Sequence, residues 1–189
     1  MQAAEQLHNL SVEDYLAGEQ TSAVRHEYIG GVAYAMAGAS DEHIALCMNL
    51  AFALRNHLRG GPCRVQMSEG KVRLLLANQD ILYYPDVMVF CDPRDTDRYF
   101  KRYPKVLIEV LSESTEGIDR REKFLSYRQI ETLEEYVLVA QDGIEVTVFR
   151  RAQNWAAELV RGSEQFLVVP SIHFKLPLRS LYEGVLTQL

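Results

Sequence analysis

Two predicted strands each carry a single acidic side chain on an apolar face. Residues 83–90, YYPDVMVF, contain Asp86, and residues 105–111, KVLIEVL, contain Glu109 between two leucines of the same face. An ionised carboxylate removed from water costs several kcal/mol unless it is paired or bound to a cation, and two facing carboxylates also repel each other. Both acids therefore need a compensating group.

Three kinds of compensation fit the sequence, and each predicts a different chemistry. A cationic side chain could form a structural ion pair with an acid, and the candidates are Arg73, Lys105 and Arg120. A divalent cation could be held by the two carboxylates, because Mg²⁺ prefers oxygen ligands and retains several waters. Alternatively, the acids could form a general acid and base pair of the glycosidase kind.

The position of Lys123 favours the metal. It lies in a helix predicted over residues 119–130, shortly after the strand that carries Glu109. A lysine beside metal-bound carboxylates suits phosphodiester hydrolysis, because the ion activates a water while the ammonium orients it or offsets charge on the phosphate. The alternative is an exposed helix lysine that pairs with Asp119, four residues earlier. Lys71 and Lys105 are the next candidates for the catalytic lysine.

The first half of the chain predicts two helices and a hairpin. Ser11 is placed to cap a helix that ends near Gly18, and Gly30-Gly31 predicts a tight hairpin turn. A buried helix is predicted over residues 41–59 from an apolar stripe with a period near 3.6, which comprises Ile44, Cys47, Ala51, Leu54 and Leu58.

The remaining elements are predicted mostly as strands. They cover residues 63–67, 72–77, 81–90, 105–111 and 135–140, and a turn at Asp142-Gly143 leads into 144–150 and 155–160. Pro85 lacks a backbone donor, so it predicts a bulge or a sheet edge. The helix at 119–130 joins two apolar strands as a crossover, which predicts an α/β fold with a mixed sheet.

Length and composition limit the class of protein. A chain of 189 residues is long enough for one sizeable core, so we expect a single domain over residues 1–189. No apolar run predicts a membrane span and the N-terminus shows no secretory signal, so we expect a cytoplasmic protein. Cys47, Cys63 and Cys91 are widely spaced in apolar surroundings and predict free thiols, and the lack of a C-x-x-C pair argues against structural zinc.

The charge pattern bears on nucleic-acid binding. A net charge of −6 argues against a protein whose whole surface binds nucleic acid. Residues 94–105, RDTDRYFKRYPK, nevertheless carry five basic against two acidic side chains, interleaved with aromatic rings. Such a segment either contacts phosphates and bases, or forms a solvated loop whose rings pack on the domain.

Three stretches together carry a family resemblance: YYPDVMVF, VLIEVLSEST and IDRREKFLSYRQIETLEEYVLVAQD. They resemble the Uma-type restriction endonuclease family, a large bacterial group in the PD-(D/E)xK nuclease superfamily, and the similarity extends over nearly the whole chain. The resemblance implies a restriction-endonuclease-like core, in which a central mixed β-sheet is flanked by helices, with added N-terminal and C-terminal hairpins. It also implies a Mg²⁺- or Mn²⁺-dependent nuclease that acts on DNA.

The resemblance also implies roles for individual residues. Asp86 and Glu109 would be the metal ligands, and a lysine would complete the catalytic site. Glu27 matches a glutamate position common in such proteins, and an exposed acid at a strand end is its alternative. The superfamily pattern places the lysine two residues after the second acid, where this chain has Leu111, so Lys123 would have to replace it from the following helix.

Three further expectations accompany this interpretation. His43, one turn before Cys47, either points toward the site as an auxiliary group or is a hydrogen-bonded core histidine. A homodimer is expected, because cutting both strands of a duplex needs two sites related by symmetry. The alternative function is a catalytically inactive nuclease-fold module that binds nucleic acid or a protein partner, with its acids held by arginine.

Overall fold

The structure is a computed structural model that describes residues 9–112 and 116–185. Its elements follow one another as α1 (Val12–Glu19), β1 (His26–Ile29), β2 (Val32–Ala35), α2 (Asp41–His57), β3 (Arg64–Met67), β4 (Lys71–Leu76), β5 (Gln79–Tyr83), β6 (Val87–Phe90), β7 (Phe100–Lys101), β8 (Pro104–Val110), α3 (Glu116–Ile118), a π-helix (Asp119–Lys123), α4 (Phe124–Tyr127), β9 (Glu135–Val139), β10 (Glu145–Arg150), β11 (Ala157–Arg161), β12 (Phe166–Val169), β13 (Phe174–Pro177) and α5 (Leu178–Leu181).

Two sheets form the body of the fold. The first has the strand order β2-β1-β5-β4-β7, the second has β11-β10-β9-β8-β6-β3, and β12 and β13 form a separate hairpin. β8 and β9 are parallel because the helical residues 116–127 cross between them, whereas β6 and β8 are antiparallel. The predicted α/β fold with a mixed sheet is therefore confirmed.

The six-stranded sheet is covered on both faces. On one face, Val87, Ile108 and Val110 pack against apolar side chains of α2 and α5. On the other face, Met88 and Leu107 pack against the five-stranded sheet and the helical residues that follow β8. This alternation follows directly from the period of two in the strands, and it places the face that carries Glu109 toward the crossover helices.

The long strand predicted over residues 81–90 is divided between the two sheets. β5 ends at Tyr83 in the five-stranded sheet and β6 begins at Val87 in the six-stranded sheet. The break coincides with Pro85, which has no backbone N–H to donate to a neighbouring strand. Asp86 consequently lies at the passage from one sheet to the other, just before β6.

Two local predictions for the first half of the chain are confirmed, and one side chain is corrected. The Ser11 side chain accepts a hydrogen bond from the amide of Asp14 at the start of α1. Gly30 and Gly31, which join β1 to β2, have φ angles of +55° and +96°, as a tight turn of this type requires. In α2, however, Ile44 is 45% exposed, because the buried stripe is centred on other side chains, namely Leu46, Cys47, Leu50 and Leu54.

The prediction of three free thiols is wrong for two of the cysteines. Cys63 and Cys91 form a disulfide, and Cys47 is free and buried. Cys63 precedes β3 and Cys91 follows β6, and the antiparallel register that pairs Arg64 with Phe90 brings the two cysteines next to each other. The spacing of the cysteines in the sequence did not predict this contact, since the two residues are 28 positions apart.

The length and polarity of the helices bear on membrane insertion. Within residues 9–112 and 116–185, none of them is both long enough and apolar enough to cross a membrane.

Candidate functional site

Asp86, just before β6, and Glu109, in β8, lie opposite each other. The antiparallel register pairs Val87 with Ile108, so the preceding Asp86 faces Glu109. The Asp86 amide donates to Glu109 Oε2 over 3.2 Å, and the Val110 amide donates to Asp86 Oδ2 over 2.7 Å. Each carboxylate is therefore anchored by backbone from the strand or loop that carries the other.

Lys123 contacts Glu109 and two further acids. Its Nζ lies 3.0 Å from Glu27 Oε1, 3.2 Å from Asp119 Oδ1 and 3.4 Å from Glu109 Oε1. The lysine is only 5% exposed, so the alternative of a solvated helix lysine is wrong, although its predicted contact with Asp119 is present. Glu27 is not an exposed strand-end acid either, since its side chain is 16% exposed.

The helical crossover has an irregularity at the site. Residues 119–123 form a π-helix between α3 and α4, and the helix ends at Tyr127 rather than at the predicted residue 130. Asp119 and Lys123 are both buried on its inner side, and the Tyr127 hydroxyl donates to Glu109 Oε1 over 3.0 Å. Single turns of π-helix occur frequently at functional sites, because they alter the direction of a few side chains.

Burial controls the protonation of these groups. Burial raises the pKa of Glu109 well above its ordinary value, and the neighbouring carboxylates add to the rise while Lys123 opposes it. Burial likewise raises the pKa of Glu27. For Lys123, burial acts to lower the pKa, but the surrounding carboxylates outweigh it and raise the pKa, so the ammonium stays charged.

His43 approaches the site from α2. Its Nε2 lies 3.0 Å from Asp86 Oδ1, so the histidine contacts the site and is not merely a core residue. Gln141, which follows β9, donates to the backbone oxygen of Leu111 over 2.5 Å and lies 3.5 Å from Nδ1 of His43. The side chains of His43, Cys47 and Asp86 each offer one ligand atom within 4.8 Å of the others.

Sequence reasoning missed the contacts of Tyr127 and Gln141 and the burial of Asp119. Asp119 and Tyr127 lie four residues before and after Lys123, so helical periodicity could have placed all three on one face. Asp119 had been weighed only as an exposed partner of the lysine. Gln141 gives no such signal, because it comes from a loop distant in sequence.

The family of the chain follows from its similarity to known proteins. The profile of the Uma2 family, described as "putative restriction endonuclease", matches residues 12–179. The chain belongs to the Uma2 family. Two uncharacterized proteins of Synechocystis sp. are similar to this Uma2 chain: one is 35% identical over 179 residues, covering 93% of both chains, and the other is 36% identical over 135 residues, covering 70% of this chain and 75% of the relative.

A solved structure supports the Uma2 fold. The crystal structure of a "putative nuclease belonging to DUF820" from Anabaena variabilis aligns with a TM-score of 0.70 and 18% identity, covering 85% of this chain and 91% of that one. At this level of identity the likeness shows the fold alone. The restriction-endonuclease-like fold expected from the sequence is thus confirmed.

Within the part of this Uma2 chain that the structure describes, the structural ion pairs considered for Asp86 and Glu109 are not formed. Arg73 binds Asp80 over 2.8 Å, and Arg120 binds Glu116 over 2.7 Å. Lys105 lies four residues before Glu109 in β8, roughly 13 Å away along the strand. The structure instead places Lys123 beside Glu109 and His43 beside Asp86.

The other lysine candidate, Lys71, lies elsewhere. Its ammonium is 4.7 Å from the centre of the Tyr84 ring, and burial lowers its pKa. Within residues 9–112 and 116–185, Lys71 forms no ion pair with Glu27, Glu109 or Asp119, the three acids that Lys123 contacts.

The basic and aromatic segment of residues 94–105 largely contacts itself. Arg94 pairs with Asp92 over 2.7 Å and lies over the Tyr103 ring, and Lys101 is 6% exposed. Arg98 and Tyr99, in contrast, are exposed. The loop alternative is therefore correct for most of the segment, although Arg94 and the tip residues Arg98 and Tyr99 remain exposed to solvent.

A divalent cation fits the donor set of the Uma2 site. Three carboxylates, those of Glu27, Glu109 and Asp119, lie within 3.4 Å of the Lys123 ammonium, and Asp86 lies beside Glu109 and in contact with His43. Buried carboxylates in excess of their cations are stabilised by a metal ion, and oxygen ligands are those that Mg²⁺ and Mn²⁺ prefer. Nucleases with a restriction-endonuclease-like fold generally use divalent metals.

Proposed function

We propose that this Uma2 protein is an endonuclease that hydrolyses phosphodiester bonds of DNA with Mg²⁺ or Mn²⁺. The observation that carries the proposal is the convergence of three carboxylates, those of Glu27, Glu109 and Asp119, on the buried ammonium of Lys123, with Asp86 directly beside Glu109. Such an excess of buried negative charge has little structural value by itself, and it provides the oxygen ligands of a catalytic cation.

Each residue of the site has a distinct part in this proposal. Asp86 and Glu109 would hold the cation, which when bound activates a water and offsets charge on the phosphate. Lys123 presents its charged ammonium beside Glu109, where it offsets the charge that develops on the phosphate in the transition state. Glu27 keeps Lys123 in this position through the 3.0 Å ion pair. Leu111, which occupies the position where the superfamily pattern has a lysine, contributes no charge.

A groove next to the site supports nucleic acid as the partner. It has a volume of about 200 Å³, and the neighbouring Ser68 amide donates to the backbone oxygen of Asp86 over 3.0 Å. Its lining residues are Gln66, Met67, Glu69, Gly70, Lys71, Arg98 and Tyr99. Arginine contacts phosphates and tyrosine stacks on bases, so the exposed tip of the 94–105 segment suits a nucleic acid strand that runs toward Asp86.

The proposal is tested by a cleavage assay on the purified chain. Plasmid and single-stranded DNA are incubated with Mg²⁺, with Mn²⁺ and with a chelator. We expect cleavage with either ion and none with the chelator, because the ion supplies the nucleophile. An RNA substrate in parallel tests the choice of DNA, and cleavage that resists the chelator would contradict the assignment of the cation.

The alternative is a nuclease-fold module that binds nucleic acid or a protein partner without cleaving. The observation that favours it is that Lys123 already lies within 3.4 Å of three carboxylates. Isothermal titration separates the two functions. An enzyme shows Mg²⁺ or Mn²⁺ binding that depends on Asp86 and Glu109, whereas the inactive module shows none.

We also propose that the protein works as a homodimer that pairs through α2. An exposed apolar stripe runs along this helix with a spacing of four, and Ile44, Met48 and Phe52 are 45%, 57% and 76% exposed. Asp41 and Arg55 are exposed near its two ends. Antiparallel pairing of two α2 helices about Met48 sets Ile44 against Phe52 and Asp41 against Arg55, so the surface is complementary to itself as a two-fold interface requires.

Phe52→Glu tests this interface. We expect the variant to weaken the dimer by about 30-fold or more, because a buried aromatic anchor is worth roughly 2 kcal/mol or more in an interface. Light scattering over a range of micromolar concentrations measures the change, and Leu159→Glu, at an apolar side chain that is 48% exposed on β11, is the matched control. A wild-type monomer, or equal effects of both variants, would contradict the proposal.

The compartment that we propose is the cytoplasm, where a nuclease meets DNA. The Cys63–Cys91 disulfide is the feature of the fold that argues against it, because disulfides are uncommon in reducing compartments.

A further inference from the structure

Three different donor atoms meet beside the acid cluster. His43 and Cys47 lie one turn apart on α2, and they present an imidazole nitrogen and a thiol sulfur toward Asp86. These two atoms and an Asp86 carboxylate oxygen all lie within 4.8 Å of one another, and His43 Nε2 is 3.0 Å from Asp86 Oδ1. The trio combines nitrogen, sulfur and oxygen in a space that one ion could bridge after small side-chain movements.

The first turn of α2 is held in place. The Ser40 side chain accepts a hydrogen bond from the amide of His43 over 3.1 Å and donates to Gln141 Oε1 over 2.8 Å. Asp86 is fixed from the other side by the Val110 amide. The donor atoms are therefore carried by backbone that is already ordered, which lowers the cost of bringing them around a ligand.

The donor set differs from the one that Mg²⁺ prefers. Mg²⁺ binds oxygen and rarely a thiolate, whereas a nitrogen, sulfur and carboxylate set suits Zn²⁺, Fe²⁺ or Co²⁺. Cys47 is 1% exposed, so a cation held by its sulfur would be shielded from bulk water on that side. Binding would release the thiol proton, because the thiolate is the form that ligates a metal.

We propose that His43, Cys47 and Asp86 form a binding site for a transition-metal dication such as Zn²⁺. Three protein ligands leave a coordination position for water or substrate, as in catalytic zinc sites. The site shares Asp86 with the cation of the proposed nuclease, but its existence does not require the chain to cleave DNA.

Cobalt provides a direct test on the full-length protein. The metal-free chain is titrated with Co²⁺, and we expect a thiolate-to-cobalt charge-transfer absorption that saturates at one ion per chain, because Cys47 becomes a ligand. Zn²⁺ should displace the bound Co²⁺ and abolish the absorption, whereas an excess of Mg²⁺ should leave the absorption unchanged. A wild-type protein with intact circular dichroism and no such absorption would overturn the proposal.

Two variants and a control assign the ligands. Cys47→Ser should lose the charge-transfer absorption, and His43→Gln should weaken Co²⁺ binding by about tenfold or more. The double variant Cys63→Ser/Cys91→Ser is the matched control and should keep the absorption, since those two sulfurs lie outside the trio. Absorption that persists in Cys47→Ser would place the cobalt at another thiol and overturn the assignment.

The cobalt titration and the cleavage assay can fail separately. A chain that binds Co²⁺ through Cys47 but cleaves no DNA supports the metal site and contradicts only the nuclease function. A chain that cleaves DNA with Mg²⁺ but shows no thiolate absorption contradicts only the metal site.

Discussion

Glu109→Gln should abolish cation-dependent cleavage and leave the protein at least as stable at neutral pH. The amide cannot act as an anionic metal ligand, yet its oxygen can still accept hydrogen bonds from Tyr127 and Lys123. Because burial raises the pKa of Glu109 above the ordinary 4.5, ionisation costs the folded protein stability as the pH rises from 4.5 through the raised pKa. Glutamine does not ionise, so any gain in the free energy of unfolding should be present at neutral pH and vanish toward acid pH.

Plasmid cleavage rates and chemical denaturation at several pH values measure these effects. Asp86→Asn should lose cleavage in the same way, because it removes the other proposed ligand. Glu131→Gln is the matched control, since the Glu131 side chain is 77% exposed. Wild-type cleavage in Asp86→Asn or Glu109→Gln would show that the cation is held elsewhere.

Lys123→Ala is expected to have the second large effect, on both catalysis and stability. Loss of a charged group that acts mainly in the transition state lowers a rate by about two to three orders of magnitude. Removal of the ammonium also leaves Glu27, Glu109 and Asp119 without their shared cation, and breaking a buried pair on one side costs about 3–5 kcal/mol. Metal affinity should not fall, because the site becomes more negative.

A double variant separates the two roles of the lysine. Lys123→Met/Asp119→Asn removes one positive and one negative charge, so it should recover much of the lost stability while the cleavage rate stays low. Denaturation curves, single-turnover cleavage rates and metal titrations are compared with Lys175→Ala, at an exposed lysine. If cleavage returns together with stability, Lys123 has a structural role only, and another residue supplies the catalytic charge.

The local elements of the fold were largely predictable because their signals are local. The Ser11 cap and the Gly30-Gly31 turn depend on neighbouring residues, and both are present as predicted. The strand that carries Glu109 is present because a short, nearly continuous apolar run is typical of a strand that is buried on both faces. The error in α2 also comes from a local pattern. Apolar residues occupy more than one face of this helix, so their spacing did not show that Ile44 is exposed.

Contacts between distant segments could not be read in the same way. The Cys63–Cys91 bond depends on the pairing of β3 with β6. The position of Asp86 between the two sheets depends on β5 joining one sheet and β6 joining the other. Both are consequences of strand order, which no periodicity encodes.

The sequence by itself determined that two carboxylates lie on apolar strand faces and that something must compensate them. Only the tertiary structure decided that the compensation is Lys123, buried with Glu27 and Asp119, and that His43 adds its ring from α2. The physical reason is that the cost of burying a charge can be recognised from its apolar neighbours in the chain, whereas the group that offsets the charge is chosen by packing across the fold.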